Sequence, residues 1–78
     1  MKGKLEMVRT IRDNKAAVII RVQGNVGQEN RDKLDALGMM PETDISNCRM
    51  RIVSDPIELG TLRDALISQE IVEIPTKI

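Results

Sequence analysis

The chain contains no Phe, Tyr, Trp or His, and it has one cysteine, Cys48. Each absence removes a class of chemistry. Without His there is no imidazole base near neutral pH, no His-containing metal site and no Ser-His-Asp arrangement. A lone Cys excludes an intramolecular disulfide, a thiolate zinc cage and an iron–sulfur cluster. It suits a reducing compartment and reads as a small buried hydrophobe. Without aromatics there are no stacking platforms for single-stranded nucleic acid, which argues against nucleic acid as the main ligand. The core must be aliphatic, and each of its positions supplies roughly 1 kcal/mol less than an aromatic would. Modest stability is expected, or stability borrowed from a partner or a homo-oligomer.

What is present fits one small domain over residues 1–78. Apolar residues make up 41% of the chain, yet the longest early run, Ala16 to Ile20, is far short of the ~20 residues of a membrane span. Residues 1–15 carry no sustained apolar run, so no signal peptide is read and a cytoplasmic location is expected. Formal charge is zero overall but uneven, with a net of +4 over residues 1–21 and −3 over residues 55–78. This reads as solvated faces, or as a basic end that meets an anionic or acidic partner.

Residues 1–15 read as a polar lead-in, with Leu5, Val8 and Ile11 spaced as one face of a short helix or turn. Ala16 to Val22 is the clearest strand, ended by the turn Gly24-Asn25-Val26-Gly27. That turn precedes a helix but lacks the order of a phosphate-cradling loop. The helix is read over about Gln28 to Leu37, with Glu29 and Lys33 as an exposed pair. Gly38 closes it and Pro41 stops its resumption. Thr43 to Val53 reads as a strand with a bulge or edge around Ser46-Asn47-Cys48, and Ile71 to Ile74 as a last strand ended by Pro75.

Residues 56–67 decide the fold. Asp55-Pro56-Ile57-Glu58 has the form of a helix start, with an acidic cap, proline at the first position and Glu three residues after the cap. Leu59, Leu62 and Leu66 follow at helical spacing. Gly60-Thr61 could equally turn a hairpin. A hairpin gives a mainly β chain with one short helix, a small barrel. A helix gives β-α-β-α-β, an α/β open sheet of ferredoxin-like kind.

The segment Arg31-Asp32-Lys33-Leu34-Asp35-Ala36-Leu37-Gly38-Met39-Met40-Pro41 resembles the R-x-x-L-x-x-L-G-M-x-P-G run of the FeoA family, small accessory proteins of bacterial ferrous iron transport, with Glu42 at the run's last glycine. Asp55-Pro56-Ile57-Glu58 falls without a gap on that family's G-D-P-I motif, with Ser54 at its glycine. Ala17 to Gly24 is similar to its first core strand, so the resemblance covers about residues 5–74. It implies an SH3-like barrel and a non-enzymatic adaptor that modulates ferrous iron uptake. The implied partner is the cytosolic GTPase domain of the membrane ferrous iron transporter FeoB. No cofactor and no metal ligand set is implied. The alternative fold implies a module that binds an effector or serves as a structural component of a larger assembly.

The candidate site for protein–protein interaction is the corner Leu37, Gly38, Met39, Met40 and Pro41. Alternation along an extended segment sends one of the two methionines inward and the other out. An exposed Met beside Pro41 makes an adaptable apolar contact. No catalytic residue is read. Asp32, Asp35, Glu42 and Asp44 lack the order of a hard-cation site and read as solvated acids.

Overall fold

The computed structural model describes residues 1–74. The chain forms β1 (Lys4–Arg12), β2 (Lys15–Gln23), α1 (Gln28–Ala36), β3 (Met40–Pro41), β4 (Cys48–Val53) and α2 (Pro56–Ser68). The strands make one antiparallel sheet in the order β1-β2-β4-β3. The protein is thus mainly β, with four strands and two helices.

Lys4 to Arg12, expected within a polar lead-in as a short helix or turn, is strand. Asp13 and Asn14 both take positive φ (53° and 63°), the two-residue turn that matches the twist of a hairpin. These residue types tolerate that conformation best after glycine. Lys4 to Arg12 then pairs with Lys15 to Gln23 along its whole length. The spacing of Leu5, Val8 and Ile11 misled because it mixes side chains from the two faces of a strand.

Helix α1 ends as expected. Gly38, at φ 74°, donates its N–H to the Asp35 carbonyl at 3.1 Å, and Met39 N–H reaches the Leu34 carbonyl at 2.9 Å. This paired closure satisfies carbonyls that the helix end would otherwise leave open. The strand expected over 43–53 is shorter. Residues 43–47 turn, with Asn47 at φ 53°, and β4 begins at Cys48. The irregularity at Ser46-Asn47 marks this turn and not a bulge.

Residues 56–68 are helix, which corrects the expectation of one short helix and of a closing hairpin. The Asp55 carboxylate accepts the Ile57 N–H at 3.0 Å, and Pro56 opens the first turn. Leu62 and Leu66 are buried beneath it, and their burial outweighs the roughly 1 kcal/mol that Gly60 costs in a helix interior. With that segment helical, the described strands form an open sheet, not a closed SH3-like barrel. The order is also not β-α-β-α-β, since two strands precede α1 and two follow it. Of the last expected strand, only a parallel bridge between Val72 and Gly3 forms, and Pro75 lies outside the described residues.

Directly paired residues of an antiparallel sheet share a face, and the faces alternate along each strand. Val18, Ile20, Val22 and Val53 therefore point to one side. Of these, Ile20, Val22 and Val53 join Leu34, Met39, Leu62, Leu66, Ile71 and Val72 in the core. Among the described residues, both helices pack on that side. No described element covers the opposite face.

Candidate functional site

The uncovered face can be mapped row by row from the pairing register. Val8, Ile19 and Ile52 form a row across β1, β2 and β4. The next row is Glu6, Arg21, Met50 and Met40. Ala17 and Cys48 share this face and are buried by their neighbours, yet both stand apart from the core cluster. Met40 is 63% exposed and Val8 39%, while Ile19, Met50 and Ile52 are half-buried. The result is an apolar band open to solvent, with Val8 and Met40 its exposed members.

Charged groups bound the band. At the hairpin end Arg12 and Lys15 pair across the strands on this face, with no carboxylate partner among the described residues. Toward the other end lies a fixed network. Arg21 donates from Nε to Glu42 Oε2 at 3.0 Å and from Nη2 to Oε1 at 3.1 Å, a two-pronged pair. Its Nη1 also reaches Glu6 Oε1 at 3.3 Å. The Cys48 thiol donates to Glu42 Oε2 at 3.3 Å.

This network sets the ionisation of its members. Glu42 is held below the ordinary carboxylate value, chiefly by the Arg21 hydrogen bonds and then by the thiol. Arg21 is raised, first by Glu42. Cys48 is raised by burial and then by the Glu42 hydrogen bond, so the thiol stays protonated near neutral pH and is a poor nucleophile. Cys48 is thus the buried small side chain that the sequence suggested, but it also braces Glu42. Glu42 itself, read as a solvated loop acid, is a bridge between β3's end and the middle of β2.

The corner Leu37–Pro41 is divided between sides. Met39 is fully buried in the core and Met40 is exposed, as alternation required. Met40 lies opposite Met50 and extends the uncovered apolar band. Leu37 is half-buried, and its carbonyl accepts from Arg51 Nη1 at 3.2 Å. Gly38 lies beneath the Arg51 side chain, within a shallow groove shared with Glu58 and Leu62. Pro41 points toward the helix side. Of the five residues, then, Met40 alone joins the open face.

A second feature is a cleft of about 550 Å³ between α1 and the 41–48 loop, lined by Arg31, Pro41, Asp44, Ser46 and Arg49 among others. Its two guanidinium groups are engaged. Arg49 pairs with Asp35 and donates to the Met39 carbonyl, and Arg31 donates to the Gln28 and Asn25 side-chain oxygens. The four acids noted in the sequence do not converge. Asp32 meets Gln28, Asp35 meets Arg49 and Glu42 meets Arg21. Among the described residues no group of three or more His, Cys, Asp or Glu is placed to hold a metal ion. No described helix is long and apolar enough to cross a membrane.

No family model, curated protein or solved structure matches the chain.

Proposed function

We propose that this protein is a non-enzymatic binding module of the cytosol whose contact surface is the uncovered sheet face. The carrying observation is the open band of Val8, Ile19, Ile52, Met50 and Met40, rimmed by Arg12 and Lys15 at one end and by the Glu6–Arg21–Glu42 network at the other. Methionine at the edge of such a band adapts to the shape it meets. The bidentate Arg21–Glu42 pair fixes the backbone beneath it, so little ordering is left to be done on binding.

The partner supplied by the FeoA-like resemblance is the cytosolic GTPase domain of a membrane ferrous iron transporter. Its support is the run from Arg31 to Glu58 alone, since helix α2 stands where a barrel of that kind would place its closing hairpin. The test is a calorimetric titration of the folded protein against that domain, with Met40→Glu and Val8→Glu alongside. Binding by the wild type that both variants weaken at least about tenfold agrees with contact at this face. Equal binding by all three places the contact elsewhere, and no binding removes the transporter domain as the partner.

A further inference from the structure

Among the described residues, the outer edge of β1 beyond Gly3 is unpaired, and its chemistry complements itself. Gly3 donates its N–H to the Ile71 carbonyl at 2.8 Å and accepts from Glu73 N–H at 3.3 Å. Its main-chain groups therefore point away from β2. Alternation along the strand sends those of Leu5, Met7, Arg9 and Ile11 the same way, onto an edge that no described strand pairs. This strand also exposes large apolar side chains on both faces: Met7 at 42%, Val8 at 39% and Ile11 at 76%. A long edge strand with such residues is a template for pairing with another chain.

We infer that β1 pairs antiparallel with β1 of a second copy, making one continuous sheet through a two-fold axis at Arg9. The register follows from the ends of the open stretch. The Ile71–Glu73 segment occupies the edge at Gly3, and the Asp13-Asn14 turn ends it after Arg12. A ladder from Glu6 to Arg12 fits between these limits in both copies. It sets Met7 against Ile11 of the second copy and Glu6 against Arg12 of the second copy, each twice by symmetry. Arg12 gains the carboxylate it lacks among the described residues, and Val8 meets Thr10 of the second copy. Leu5, already packed on its own core, is not needed. The one unfavourable pair is Arg9 with its own copy on the axis, two long side chains free to diverge into solvent.

This pairing goes beyond the proposed contact at the sheet face and does not depend on it. Sedimentation of the full chain is expected to give a monomer–dimer equilibrium. Amide exchange at Met7, Arg9 and Ile11 slows as the dimer fills. Ile11→Lys, at a position exposed in the monomer, is expected to weaken the dimer about tenfold with its circular dichroism unchanged. Arg9→Cys reports the register independently. On the axis its two copies lie about 5.5 Å apart at Cα, within disulfide range, so oxidised glutathione should link them. Val8→Cys should not link. A monomer at every concentration, a dimer in which those three amides stay unprotected, or linkage through Val8→Cys and not Arg9→Cys would each overturn the inference.

Discussion

Ile19 and Ile20 are neighbours in the middle of β2, and they belong to different parts of the molecule's work. Ile20 is fully buried beneath the helices, in contact with the cluster that holds Leu34, Leu62 and Leu66. Ile19 points to the opposite side, in the row with Val8 and Ile52, and no described element covers it. A small domain with an aliphatic core has little stability to spare. The covered face supplies it, and the uncovered face is left to make contacts. The charged groups divide in a similar way, since the bidentate Arg21–Glu42 pair borders the open band while Arg49–Asp35 and Arg51–Glu58 tie the sheet to the helices.

The contrast can be attacked most strongly from the covered side. Leu66→Ala, at a fully buried position, is expected to cost about 3 kcal/mol in urea unfolding. A loss near zero would mean that α2 contributes little to the core. Gly60→Ala works on the same helix in the other direction. A Cβ there would meet nothing within 4 Å, so a gain of about 1 kcal/mol is expected if residues 56–68 are helical in solution. A hairpin turn at that place would be destabilised by the same change.

Substitutions on the uncovered face should do less to stability. Met40→Ser is expected to shift the unfolding free energy by no more than about 0.5 kcal/mol, because the side chain is largely solvated already. Glu42→Gln probes the border network through pH. The folded-state value of Glu42 is depressed, so its contribution is present above the unfolded carboxyl value and is lost as pH falls through the folded one. The stability difference between wild type and Glu42→Gln should therefore be widest near neutral pH and shrink below about 4.5, the ordinary carboxyl value. A difference that stays constant down the acid limb would mean that the Arg21 pair does not hold Glu42 ionised.

Much of this division was legible in residue order, where the signal was local. The strand at Ala16 to Val22, helix α1, its closure at Gly38 and the inward–outward split of Met39 and Met40 all follow from short-range rules. The cap at Asp55-Pro56 was legible too, but it competed with Gly60-Thr61. Packing of Leu62 and Leu66 decided between them, and that is a tertiary effect. β1 was missed for a different reason. Its face toward the helices carries Leu5, Met7, Arg9 and Ile11, and the other Lys4, Glu6, Val8, Thr10 and Arg12, so neither reads as clean alternation. The Asp13-Asn14 turn was the available signal.

The open face was harder to see, because it is assembled from four strands whose register no single segment contains. Glu42 shows this most clearly. It lies 21 positions from Arg21 in sequence, and nothing near either residue announces the pair. The same holds for Met40 and Val8, which become members of one surface once β2 and β4 lie between them. The Leu37–Pro41 corner was read as one contact site, whereas Met40 alone of its five residues joins the open face.

The central claim is that one face of the sheet holds the fold and the other is free for contact. The most direct test compares the unfolding free energies of Ile19→Ala and Ile20→Ala under identical conditions. The expected losses are about 1 kcal/mol for Ile19 and about 3 kcal/mol or more for Ile20. Equal losses, or a larger one at Ile19, would show that the open face is itself a core surface and would contradict the account.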